Sequence, residues 1–382
     1  MAKNKLATLI NILGLAIGIS CSLLIGLWAR DEMSYNRFIP GFDAVYEVHV
    51  NVPVNGDTVT QTIAGGPLEP ALRKDVPQFA AVTKMRYSPD MLFTADNASL
   101  KEKGWYATDD FFKVFPLAAL DGNPDQAIRS IDQVVITKGM AMRYFNTVFA
   151  AGKRIKVDNN KEYTIGAVIE DLPHNSTLDF NWLMNFKIGE QDWMQKWGNI
   201  SFPTYVRLLP HVSVADAERA MRAVYKNNAP DGFKALYPFL QPVKDIYLYS
   251  KYENGKIAGG RIEYVKIFSL AAFFILLIAC VNFTNMATAK ASQRGKEIGV
   301  RKVAGAGRFS LISQFIGEAV LISVLAAAVA FFITWLLLPV FNRLFDKNIA
   351  IPFGDPRFWM ITVGALLLTA LLAGSYPAVV LS

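Results

Sequence analysis

Residues 290–308 read KASQRGKEIGVRKVAGAGR, and their reading sets the topology of the whole chain. The stretch carries Lys290, Arg294, Lys296, Arg301, Lys302 and Arg308 against a single acid, Glu297. Long apolar runs flank it on both sides, so it reads as a short basic hairpin between two membrane helices. Lys and Arg resist translocation, which keeps such a loop in the cytoplasm. The loop also offers a surface on which a cytoplasmic partner can push.

Working outward, the chain has 382 residues, a mean hydropathy of +0.26 and 52% hydrophobic residues. The apolar residues are concentrated. Leu6–Ala29, Ile267–Ala289, Ala319–Asn342 and Phe358–Ser382 carry no charge, and each exceeds the roughly 20 residues that a helix needs to cross a bilayer. Nothing in lipid satisfies open backbone groups, so helix is the expected form. Leu6–Ala29 is long for the core of a signal peptide and is followed by no A-x-A-like site, so it reads as a retained span. With the basic loop inside, alternation places both termini in the cytoplasm and residues 31–264 outside. Arg343–Arg357 becomes a short outer loop. The expected fold is therefore a four-helix membrane domain with a large mixed α/β extracytoplasmic domain inserted between helices 1 and 2. Its parts are residues 1–30, 31–264 and 265–382.

The outer part contains neither cysteine, since Cys21 and Cys280 both fall in spans. It is built without disulfides and must hold a self-sufficient core, which a segment of this length supplies. Val45–Val50 and Tyr163–Ile169 read as strands. Asp109–Phe115 and Lys138–Phe145 read as helices, the first capped by Asp109 or Asp110. Ala215–Asn227 is an amphipathic helix with Ala217, Ala220, Met221 and Val224 on one face. Trp182, Trp193 and Trp197 are expected in the core.

Catalytic motifs are missing. His49, His174 and His211 lack zinc-ligand spacing, so no metal site is expected. No Ser sits in a G-x-S-x-G elbow. Gly152-Lys153, Gly255-Lys256 and Gly295-Lys296 are not followed by Ser or Thr, so the P-loop pattern is absent and no cofactor is expected on this chain. The net charge of +7 owes much to the basic hairpin, which leaves no basic outer surface for nucleic acid.

Three segments then resemble one family. Ile10–Arg30 followed by DEMSYNRF resembles the first span and exit of the FtsX-like and MacB-like ABC transporter permeases. VVITKGMAMRYF and YTIGAVIEDLPHNSTLDFNWLMNF resemble their periplasmic core domain. LIACVNFTNMATAKASQRGKEIGVRKVAGAGRFSLISQFIGEAVL resembles their second span, coupling helix and third span. The family's amphipathic basic segment before the first span and its basic tail after the last are missing here. Both a single four-span unit and one half of a duplicated permease fit. The resemblance implies an inner-membrane subunit with its large domain in the periplasm. It also implies a separate cytoplasmic ABC ATPase, which uses the ATP and Mg, and a second permease copy or half. A periplasmic adaptor is a further partner the family allows. The work in such relatives is efflux of peptides or drugs, lipoprotein extraction or hydrolase activation.

Four groups of residues carry the expectation. Arg294, Lys296, Glu297, Ile298, Gly299, Val300, Arg301, Lys302 and Gly305 belong to the coupling helix and its exit, with the helix spanning about 290–303. A loop that served only topology or anionic lipid would not need Glu297, Ile298 and Val300. Gly14, Gly18, Ser22 and Gly26 recur every four residues on one face of the first span, where small residues admit a close helix neighbour. The favoured neighbour is a second permease copy, ahead of the chain's own later spans. Asn282, Asn285, Gln314 and Glu318 are read as an interhelical hydrogen-bond cluster that stiffens the lever. A receptor with an outer ligand domain is the alternative, and it calls for a signalling domain after the last span. A channel would need more polar groups in the spans than Glu318.

Overall fold

The computed structural model describes residues 2–96, 98–293, 300, 303 and 308–381, with side chains described at 8–96, 98–292, 300, 303 and 312–371. The chain divides into two compact units, one of residues 1–33 and 263–382, the other Ser34–Ile262. The sequence places the limits at 31 and 264. The charge-free run ends earlier than its helix, because the first helix carries on through Asp31 and Glu32.

In the Ser34–Ile262 unit the main sheet has eleven strands. They are β1 (Val45–Val54), β2 (Asp57–Gln61), β3 (Phe79–Ala95), β4 (Ala98–Ala107), β5 (Ala119–Gly122), β6 (Gln133–Thr137), β7 (Arg154–Val157), β8 (Lys161–Ile169), β9 (Trp182–Asn185), β10 (Thr204–Leu208) and β11 (Tyr237–Pro242). Their order is β11-β1-β10-β3-β4-β9-β6-β8-β5, with β2 beside β1 and β7 bridging β3 and β8. The sheet is mixed: β9 runs parallel to β4, and β6 parallel to β8.

The long strand β3 organises the unit into two lobes. Its first part pairs with β10, ending at Lys84 opposite Thr204. From Met85 onward it pairs with β4. The register slips between Ser88 and Met91, around Pro89, which has no amide hydrogen to give the ladder. The first lobe packs two helices, Leu68–Asp75 and Val214–Asn228, over a core that includes Leu68, Leu72, Val206, Met221 and Val224. Ser213 caps the second of these, its hydroxyl accepting from Asp216 N at 3.1 Å. Ala220 is only partly buried; Tyr225 completes the buried face instead.

The second lobe centres on β9, in which all four residues are buried. A strand covered on both faces reads as a continuous apolar run rather than an alternation. Trp182 packs at 5.5 Å from the Phe93 ring and 5.3 Å from Tyr106, and its Nε1 donates to Glu102 O at 3.0 Å. Trp193 and Trp197 are exposed and half-buried, so only one of the three tryptophans is central. The expected Asp109–Phe115 helix contracts to one turn, Phe111–Val114. Asp110 gives it no side-chain cap, because its carboxylate binds Lys113 at 3.0 Å.

The other unit is helical. We number its helices α1 (Ala2–Glu32), α2 (Arg261–Gln293), α3 (Arg308–Phe345) and α4 (Pro356–Leu381). Among the described residues, three segments are long and apolar enough to cross a membrane: Thr8–Glu32, Arg261–Ser292 and Ile312–Phe345. The described apolar part of α4, Pro356–Leu371, is shorter. Ile267, Phe273 and Ile278 of α2 and Leu321 and Trp335 of α3 are exposed. In water such a surface would be an unusually large apolar patch.

Candidate force-transmission site in the helical unit

The candidate site begins on the small-residue face of α1. A Cβ added at Gly18 would lie 2.4 Å from Ala279 Cβ, so only glycine admits this approach. At Gly14 the same atom would lie 3.7 Å from Asn282 Nδ2. Ser22 Oγ donates to Ala272 O at 2.9 Å. As α1 is followed outward through 14, 18 and 22, its partners on α2 step back through 282, 279 and 272. The two helices therefore run antiparallel. This corrects the favoured reading of the face as a contact between permease copies. The spacing identifies a close approach, and α2 of the same chain fills it. Gly26 meets nothing within 4 Å and instead borders an apolar groove of about 540 Å³.

The opposite face of α1 meets α3. Leu15 and Ala16 join Ala279 and Phe283 of α2 and Ala319, Ala326 and Ala330 of α3 in one buried cluster. Ser20 Oγ and Thr334 Oγ1 are 3.0 Å apart and both buried, a hydrogen bond between α1 and α3. Cys280 Sγ and Thr369 Oγ1, 3.3 Å apart, tie α2 to α4.

At the Glu32 end of α1 the residues that join the helices are charged. Lys347 Nζ lies 2.7 Å from Glu32 Oε1 and 3.0 Å from Asp31 Oδ2, and all three side chains are nearly buried. Burial works against the Lys347 charge. The hydrogen bonds that Lys347 donates to Glu32 and Asp31 outweigh it and hold the ammonium pKa above the ordinary lysine value. Arg30 donates to Asp355 Oδ2 at 2.8 Å, and Asp355 Oδ1 accepts from Arg357 N at 2.9 Å, where α4 starts. The Asn342 side chain closes the connecting loop, donating to Ile349 O at 2.9 Å and accepting from Ile349 N at 3.0 Å. Breaking a buried ion pair by removing one partner costs roughly 3–5 kcal/mol, so these charges act as a set. Sequence reasoning missed them. It read Arg343–Arg357 only as a short outer loop and placed Asp31 and Glu32 outside the span.

Near the other end, among the described residues, no hydrogen bond joins Asn282 or Asn285 to Gln314 or Glu318. Gln314 Nε2 donates to Glu318 Oε1 at 3.4 Å, one turn later on the same helix. Asn282 and Asn285 are exposed on α2. A shared end of two spans brings polar residues to one level, but the helix faces decide whether they meet. Asn11 of α1, not singled out from sequence, is buried there. Of the coupling stretch, Val300 and Val303 are helical and exposed. Arg294, Lys296, Glu297, Ile298, Gly299, Arg301, Lys302 and Gly305 lie outside the described residues.

The family model of the MacB-like periplasmic core domain matches residues 8–224, and that of the FtsX-like permease C-terminal part matches residues 269–382. The chain belongs to the FtsX/MacB-like ABC permease family. It is a membrane permease with an extracytoplasmic domain. The macrolide export ATP-binding/permease protein MacB of Salmonella typhi is 24% identical over 347 residues, covering 86% of this permease and 50% of that protein. A MacB of Yersinia pestis bv. Antiqua is 23% identical over 348 residues, again 86% and 50%. This permease thus spans about half the length of the curated relatives it matches. Among solved structures, a domain of a putative permease from Porphyromonas gingivalis matches with 25% identity and a TM-score of 0.46, covering 53% of this chain and 92% of that one. The periplasmic region of MacB from Actinobacillus actinomycetemcomitans matches with 18% identity and a TM-score of 0.40, covering 55% and 92%.

Proposed function

We propose that this permease is the lever of an ATP-driven machine. A cytoplasmic ABC ATPase docks on residues 290–303, and its movement passes along α2 and α3 to the far ends of those helices. ATP and Mg are handled by the ATPase, and no catalytic group is assigned to this chain. The observation that carries the reading is the basic stretch between α2 and α3, which has a direct covalent route into both helices. Packed helices shift as units, so a push at one end is sufficient to move the other. The buried cluster of α1, α2 and α3 supports this, because a helix seated on two neighbours does not bend independently.

In this reading four helices cross the inner membrane, both termini are cytoplasmic and residues 34–262 work in the periplasm. A second permease copy or half completes the assembly, and efflux or envelope-lipoprotein handling is the work performed. The test is a double charge reversal, Arg301→Glu with Lys302→Glu, in the full chain co-expressed with the cytoplasmic ABC ATPase that this reading calls for. Like-charge juxtaposition across an interface costs several kcal/mol, so ATPase co-purification should fall at least about tenfold. The transport-linked phenotype should be lost while the outer domain stays folded and exported. Normal ATPase binding together with normal function would overturn the lever.

A further inference from the structure

A second site lies in the Ser34–Ile262 unit, at the strand position where β3 changes partner. Lys84 is the last β3 residue paired with β10 before β4 takes over. Its side chain borders a cleft of about 590 Å³, with the Leu68–Asp75 helix on one side and the end of β9 on the other. That volume is within the roughly 300–1,000 Å³ of small-molecule sites.

Lys84 is 3% exposed. An ammonium has three donors. One reaches Gly66 O at 3.0 Å, and the charge sits 4.5 Å from the centre of the Phe186 ring. Lys84 forms no ion pair among the described residues. A buried cation without a paired anion is costly, which is why such charges are ordinarily neutralised by a partner. Burial accordingly lowers the Lys84 pKa, against the more distant pull of Glu69 and Glu190. Glu69 is itself engaged by Arg73. The acids on the cleft walls are available for the opposite charge. Asp109 accepts from Asn185 Nδ2 at 3.0 Å, which uses one of its lone pairs, and Glu190 accepts from the Gln195 amide.

We propose that this cleft binds a small zwitterion, one molecule carrying a carboxylate and an ammonium, with the carboxylate seated on Lys84. The two unused donors of Lys84 receive the carboxylate, the Phe186 ring walls the site, and Asp109 and Glu190 face the ammonium. Because the cleft separates the two lobes at their shared strand, a ligand bridging Lys84 to those acids ties the lobes together. The site does not rest on ATPase docking, and either reading can fail alone.

The experiment is calorimetric titration of the full chain in lipid nanodiscs with three probes: tri-alanine, tri-alanine amide and N-acetyl-tri-alanine. Hydrogen bonds to charged groups contribute about 1.5–3 kcal/mol, so tri-alanine should bind at least about tenfold tighter than its amide. The acetylated probe should also bind more weakly than tri-alanine. Lys84→Met, checked for an unchanged circular dichroism spectrum, should remove the preference for the free carboxylate. The amide comparison uses the unaltered chain, so it stands even where that variant misfolds. No binding of any probe, or equal binding of tri-alanine and its amide, would overturn the site. Equal binding of tri-alanine and its acetylated form would overturn its zwitterionic character.

Discussion

Gly104 and Gly18 do the same job in two media. In the outer unit a Cβ on Gly104 would sit 2.1 Å from the Trp182 ring, which lies across the strand from it. In the helical unit a Cβ on Gly18 would sit 2.4 Å from Ala279 Cβ. Each glycine makes room for a neighbour, but the neighbours differ. The outer unit, surrounded by water, fills the space with its largest side chain, because burying apolar surface from water is the dominant favourable term. The helical unit fills it with a methyl group. Lipid tails are as apolar as the helix, so close van der Waals approach and interhelical hydrogen bonds take over. The same device therefore serves transfer from water in one unit and backbone proximity in the other.

The largest effect should come from the aromatic side of this pair. Trp182→Ala leaves a void beside Phe93 and Tyr106 and abandons the Glu102 carbonyl. Truncations of this kind cost about 3–5 kcal/mol. Pulse proteolysis of the full chain across a urea series should show the outer unit unfolding at much lower denaturant. Adding Gly104→Ala to that variant should cost little further, because the ring that its methyl would meet is gone. A Trp182→Ala loss within the roughly 0.5 kcal/mol of ordinary surface changes would remove the contrast between the two units.

Gly18→Leu should come next. The added side chain wedges α1 away from α2, and overpacking of this kind costs about 1–3 kcal/mol. The thermal midpoint of the detergent-solubilised chain should fall, while the urea midpoint of the outer unit stays where it was. Its oligomeric state by light scattering should be unchanged, since the face is occupied within the chain. A variant that keeps its midpoint but loses self-association would return the face to a contact between copies.

These cases mark what a sequence can carry. Three long apolar helices were legible because charge is absent over whole stretches, and the family was legible from residues 277–321 because the motif is contiguous. Gly18 was legible as a point of close approach, but the identity of its neighbour was not. Periodicity describes one helix and says nothing of the helix beside it. Asn282 and Gln314 show the same limit from the other side, since residues at one membrane depth need not share an interface. Lys347 was read only as one position of the 343–357 loop. Its meaning depends on Asp31 and Glu32, more than three hundred residues earlier. Lys84 depends in the same way on Gly66 and Phe186, which only the fold brings to it. Contiguous signals survive in one dimension, and pairings across the chain do not.

The smallest effect tests the other half of the comparison, the hydrogen bonds that replace transfer from water in the helical unit. Ser20 and Thr334 are buried, 3.0 Å apart and joined to each other, so a double-mutant cycle of Ser20→Ala and Thr334→Val isolates their coupling. Interhelical hydrogen bonds in membrane proteins average about 0.6 kcal/mol, because the separated helices find other partners. The coupling should be near that value. Either single change leaves one hydroxyl without its interhelical partner, free to turn back to a carbonyl one helical turn away, as Thr284 does with Cys280 O at 2.8 Å. That alternative bond is what keeps the coupling small. A coupling above about 2 kcal/mol would mean that the α1–α3 contact excludes such local rescue, which is the behaviour of a buried polar pair in a water-soluble core. The helical unit would then be held by the same energetics as the outer one, and the contrast between Gly104 and Gly18 would be a matter of side-chain size alone.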